Sequence, residues 1–101
     1  MSEEQEIKRD GAKPQKNSGR GKHEKGDATL GPFCYDIKEY TNSYSVSRNS
    51  WGKICTDAYT SGSMVPALKL VLGGGDKKVR LWVIGESMFN EMLEAWREKY
   101  E

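Results

Sequence analysis

Residues 26–40 read GDATLGPFCYDIKEY, and the fold turns on whether this stretch is two strands folded about a turn. Gly31-Pro32 is a turn signal, with a short β-prone run of residues 27–30 before it and a longer one from Phe33 to Tyr40 after it. A strand alternates its side chains between two faces, so Cys34, Asp36, Lys38 and Tyr40 share one face and Phe33, Tyr35 and Ile37 the other. Asp36 and Lys38 then stand side by side, about 6.6 Å apart along the strand. Across the hairpin, Asp27 can face Asp36, which brings two carboxylates and one ammonium onto a single surface.

That set suits divalent-metal chemistry. Mg2+ takes hard oxygen ligands and is usually held by one or two carboxylates together with water and substrate phosphate. Asp27 and Asp36 supply that minimum, the carbonyl of Ile37 offers another oxygen, and Lys38 can orient an attacking water and stabilise charge growing on a phosphate. The same residues also fit a plainer arrangement, a cross-strand Asp–Lys ion pair on a solvated hairpin face, which contributes little to stability.

Outward from the hairpin, a polar Ser/Asn loop leads into SRNSWGKICTDAYTSG at positions 47–62. Trp51, Ile54, Cys55 and Ala58 recur there at helical spacing, with Ser47, Asn49 or Ser50 available as the N-cap and Gly62 as the stop. Two apolar, β-rich runs follow, PALKLVLG (66–73) and KVRLWVIG (78–85), joined by Gly73-Gly74-Gly75-Asp76-Lys77 as a hairpin connection. The glycine triplet lacks the Lys-Ser/Thr ending of a phosphate-binding loop and opens no helix. The last segment sets Met88, Phe89, Met92, Leu93, Trp96 and Tyr100 on one stripe, an amphipathic terminal helix. The expected order is β-β-α-β-β-α, an α/β arrangement with a mixed sheet flanked by helices. Trp51, Trp82 and Trp96 all fall on apolar stripes and are read as core or interface residues.

At 101 residues the chain has room for one small domain. The expected division is a flexible basic arm over residues 1–25 and a folded domain over 26–101. The arm holds few apolar side chains, so burial offsets little ordering entropy. From Lys8 to Lys25 it carries seven Lys/Arg against two acids, a local charge of +5 within a net charge of +1. Such a segment either seeks polyanions or is a merely solvated, disordered tail, and charge alone does not separate the two. Arg20, Lys22 and Lys25 stand just before Asp27 and are suited to gripping phosphates, with Lys16 further back in the same run; Arg48 and Lys53 on the middle helix either extend the basic surface or are simply solvated. His23 is a lone histidine beside Glu24. Cys34 and Cys55 form no CxxC pair, so the sequence supports neither a zinc site nor a disulfide framework and reads both as buried thiols. No run approaches the roughly 18 apolar residues of a membrane span, and MSEEQEIKRD is charged where a signal peptide is apolar. A soluble, intracellular protein is expected, with no membrane and no small-molecule cofactor.

These motifs together resemble the PD-(D/E)xK nuclease superfamily, and within it the small Holliday-junction resolvases of archaea and phages. The resemblance runs from about Asn17 to Ile84: Asn17-Ser18-Gly19, then Gly26-Asp27, then Tyr35-Asp36-Ile37-Lys38, the Ser-rich loop, the helix with Trp51, and the strand PALKLVL. It implies a restriction-endonuclease-like fold, Asp27 and Asp36 as metal ligands, Lys38 completing the catalytic set, and Ser18 in a mobile basic loop on DNA. It also implies a Mg2+-dependent endodeoxyribonuclease, with Mn2+ able to substitute, acting on branched DNA in recombination and repair as a homodimer in the cytoplasm, or in the host cytoplasm for a phage-encoded chain. The sequence departs from the pattern in two places. Gly-Asp stands where many relatives have Pro-Asp, and the glutamate that relatives add from an N-terminal helix has no clear counterpart: Glu24 is the nearest candidate and Glu6 the distant one. The alternatives left open are a repair or restriction-type nuclease with another DNA substrate, and a non-catalytic nucleic-acid-binding protein.

Overall fold

The computed structural model describes residues 3–14, 28–62 and 64–101. The described elements run α1 (Glu3–Asp10), β1 (Lys13–Pro14), β2 (Ala28–Leu30), β3 (Phe33–Tyr40), α2 (Arg48–Thr60), β4 (Val65–Leu72), a 3-10 turn (Gly75–Lys77), β5 (Val79–Ile84) and α3 (Glu86–Tyr100). Among the described residues the strands form one mixed sheet in the order β1-β2-β3-β4-β5.

The segment about Gly31-Pro32 is a hairpin. β2 and β3 pair antiparallel, with Leu30 opposite Phe33 and Ala28 opposite Tyr35. Gly31 at the turn has φ 57°, a left-handed conformation that glycine adopts without the steric cost of a Cβ. β3 and β4 are parallel, Asp36 beside Leu68 and Lys38 beside Leu70; parallel neighbours need a crossover, and α2 supplies it. β4 and β5 form the expected antiparallel hairpin.

Helix α2 begins at the first of its candidate caps. Ser47 Oγ accepts from the Ser50 backbone N–H at 3.1 Å, and the Ser47 N–H donates to Ser50 Oγ at 3.0 Å. This is a capping box with serine in the position usually held by Glu or Gln.

Two cores lie on opposite faces of the sheet. On one, Ile7 of α1 meets Ala28, Tyr35, Ile37, Ala67 and Val71; on the other, Ile54 and Ala58 of α2 meet Cys34, Leu68 and Leu70. Strand β4 is therefore covered on both sides, as its nearly continuous apolar run requires.

The observed order differs from β-β-α-β-β-α because α1 and β1 precede the hairpin. Their signal in the sequence is weak, since α1 contributes one buried apolar side chain, Ile7. Its attachment is ionic, through Glu6 and Asp10, and an ionic anchor leaves no apolar stripe to read. One packing expectation also changes: Cys34 is buried but Cys55 only partly so, both as free thiols. Of the tryptophans, Trp51 packs against the second core, while Trp82 and Trp96 are about half exposed in the single chain, on an edge strand and on α3. Helix α3 buries none of its residues, and Phe89, Met92, Trp96 and Tyr100 are all exposed. No described helix is long and apolar enough to cross a membrane.

Candidate active site

Asp36 and Lys38 sit in the middle strand of the sheet, both half-buried, on the face that α2 covers. Their placement follows from the alternation of β3: Cys34 two residues before Asp36 belongs to the α2 core, and Tyr35 and Ile37 belong to the α1 core. Asp36 lies one residue beyond the Ala28–Tyr35 pair, where the described part of β2 begins. Lys38 makes no ion pair with a described residue.

For a divalent cation this place offers one described carboxylate, Asp36, of the hard-oxygen type that Mg2+ prefers and within the one or two that it usually takes from protein. Among the described residues no three His, Cys, Asp or Glu side chains converge as a ready-made metal cage. Asp27, Glu24, Lys16, Ser18, Arg20, Lys22, Lys25 and His23 lie outside the described residues. Arg48, the first residue of α2, and Lys53 within it are both exposed.

A second cluster, on the α1 face, is not anticipated by the sequence motifs. Lys69 points from β4 into the sheet–helix interface, 1% exposed, with its Nζ 2.7 Å from Glu6 Oε1 and 2.5 Å from Asp10 Oδ1. Arg80 from β5 donates to both Glu6 oxygens, at 3.2 and 3.0 Å, and the Tyr35 hydroxyl donates to Asp10 Oδ2 at 2.7 Å. The Trp82 ring lies over the Lys69 ammonium, 5.5 Å from its centroid, and meets Tyr35 edge-on at 4.8 Å. Two acids face two cations, so the group is neutral in sum. No buried side-chain nitrogen or oxygen among the described residues lacks a partner. The hydrogen bonds from Arg80, and secondarily the Lys69 ammonium, hold the Glu6 carboxyl at about 2, against an ordinary 4.5, and outweigh the burial that pushes the other way.

Glu6, the distant candidate for the N-terminal glutamate of a metal site, does not serve there. Its carboxylate is saturated by Lys69 and Arg80, on the face opposite to Asp36 and Lys38. The network closes on itself and fastens α1 to β3, β4 and β5. Its signals are present in the sequence: Lys69 interrupts the apolar run PALKLVL at a position that alternation places beside Ala67 and Val71, and Glu6 and Asp10 are spaced i, i+4 on one helix face. A buried lysine requires carboxylates, and those two are available. Comparison of the chain with protein-family models, with curated proteins and with solved structures finds no match.

Proposed function

We propose that the protein is a Mg2+-dependent endodeoxyribonuclease of the restriction-endonuclease-like fold that cuts phosphodiester bonds in branched DNA as a homodimer. The observation that carries this reading is the pair Asp36 and Lys38, side by side on one face of the central strand, with Lys38 in no ion pair with a described residue. The mixed sheet, its parallel β3–β4 pair bridged by a helix and its helices on both faces support the fold.

In this reading Asp36 and Asp27 hold the ion with the Ile37 carbonyl. Bound there, Mg2+ supplies Lewis-acid polarisation of the scissile phosphate and lowers the pKa of a bound water. Lys38 fixes the attacking water by hydrogen bonding and offsets the negative charge that builds on the phosphate oxygens. Glu24 is a further candidate for the site by its position in the sequence. Lys16, Ser18, Arg20, Lys22 and Lys25, with Arg48 and Lys53, carry the phosphate contacts, which set affinity without reading sequence. Resolving a junction needs two symmetric cuts, hence two copies, and the exposed stripe Phe89, Met92, Trp96 and Tyr100 of α3 is the proposed contact between them.

Calorimetric titration with Mn2+ tests the metal site. The parent should bind the ion and Asp36→Asn should not. Equal binding by both, or none by the parent, contradicts the proposal.

A further inference from the structure

The face of β3 that carries Asp36 and Lys38 ends on Tyr40, and this side chain has no evident work in the core. Tyr40 is the one exposed residue of β3, 47% accessible although its strand lies inside the sheet. Alternation places it about 7 Å beyond Lys38 on the same face. The ring is held in place rather than free to sweep. Tyr44 stands behind it with centroids 5.1 Å apart and planes tilted by 31°, and Tyr44 is itself packed against the α2 core. The Tyr40 backbone is pinned as well, its carbonyl accepting from the Gly73 N–H at 3.0 Å.

One cation belongs to the same face: Lys38 stands two residues before Tyr40 on β3. Glu39 between them has its charge met by Lys78, 3.6 Å away, and Arg48 opens α2 four residues after Tyr44 in the chain. A half-exposed aromatic ring backed by a second ring, with a lysine two residues away on the same strand face, is the chemistry that receives a nucleobase on its π-face and an adjoining phosphate on its flank. Tyrosine suits the task because it presents a large flat surface with few rotors to immobilise.

We infer that Tyr40, backed by Tyr44, is a stacking platform for an unpaired base of the DNA strand that reaches Asp36 and Lys38. The inference rests on the nuclease reading and deepens it by naming what the substrate must offer. Bases in an intact duplex are stacked on one another and present no free face. A strand opened at a branch, a flap or a run of unpaired residues does, so the ring favours opened DNA without reading its sequence. The Tyr40 hydroxyl has no part in this, and phenylalanine should serve equally well.

The test uses the full chain, Ca2+ in place of Mg2+ to hold cutting in check, and two DNAs of equal length: a duplex with a central run of unpaired thymines, and the fully paired duplex. A 2-aminopurine placed in the unpaired run reports stacking by its fluorescence. The parent should bind the opened DNA and quench the probe. Tyr40→Ala should lose at least about fivefold in affinity for the opened DNA, the lower end of what one stacked base contributes, lose the quenching, and bind the paired duplex as before. Tyr40→Phe should match the parent in all three respects. No quenching by the parent, equal loss on both DNAs, or Tyr40→Phe behaving as Tyr40→Ala overturns the platform. The quenching readout needs no variant to fold and no cleavage to occur. Cutting that survives in Asp36→Asn alongside parental quenching would remove the proposed catalytic site and leave the platform standing; loss of cutting in Asp36→Asn with no quenching by the parent would do the reverse.

Discussion

Replacing Lys69 by methionine removes the charge at the centre of the α1 network and keeps the volume of the side chain. The ammonium lies 2.7 Å from Glu6 and 2.5 Å from Asp10, and all three side chains are nearly inaccessible to water. Taking one partner from a buried ion pair costs about 3–5 kcal/mol, mostly because the remaining charge stays buried without compensation. Glu6 keeps both bonds from Arg80 and Asp10 keeps the Tyr35 hydroxyl, so the lower end applies, about 3 kcal/mol. For a chain of this size that is a fall in Tm of about 12–24 °C. Thermal and urea melts followed by circular dichroism measure it. Two features separate this cause from poorer packing. First, Lys69→Met with Asp10→Asn should be more stable than Lys69→Met alone, because the stranded charge is gone while the amide oxygen still accepts from Tyr35. Second, the deficit of Lys69→Met should shrink from pH 7 to pH 5: a stranded buried carboxyl has a raised pKa, the folded state then binds more protons than the unfolded, and stability rises as pH falls. A loss below about 1 kcal/mol, the scale of an exposed pair, or a deficit independent of pH would refute the argument.

Two further outcomes follow from the same geometry. Glu6 has its carboxyl held at about 2 against an ordinary 4.5, so its contribution is fully present above pH 4.5 and is lost as pH falls towards 2; urea midpoints of the parent should fall through that window more steeply than those of Glu6→Gln, and parallel curves would contradict the assignment. For DNA affinity, glutamine at Lys16, Arg20, Lys22 and Lys25 should flatten the log–log salt dependence by about one unit for each phosphate that the protein ceases to neutralise. Point substitutions are required here, because deleting residues 1–16 would also remove Glu6 and Asp10 and so unfasten α1 from the sheet; an unchanged slope would remove these residues from the DNA surface.

Elements whose side chains sort by polarity are legible in the sequence. The hairpin about Gly31-Pro32, helix α2 with its serine cap, the β4–β5 hairpin and α3 all carry period-two or helical apolar patterns, and each is found in place. Helix α1 is not legible, because Glu6, Asp10 and Ile7 attach it by two charges and one apolar side chain. Its meaning depends on Lys69 and Arg80, which lie more than 50 residues away in sequence. The shared face of Asp36 and Lys38 follows from alternation alone, but which helix covers that face depends on the crossover. The exposure of Trp82 depends on β5 being an edge strand and that of Trp96 on where α3 lies, neither of which a local pattern encodes.

The most direct test of the nuclease reading is a cleavage assay on a synthetic four-way DNA junction and the matching linear duplex, each with Mg2+ and with EDTA, for the parent, Asp36→Asn and Lys38→Ala. The parent should cut the junction in preference to the duplex, only when Mg2+ is present, and both variants should bind the junction but leave it uncut. Cutting by Asp36→Asn and Lys38→Ala at the parental rate, or a parent that binds the junction in Mg2+ and never cuts it, would contradict the account.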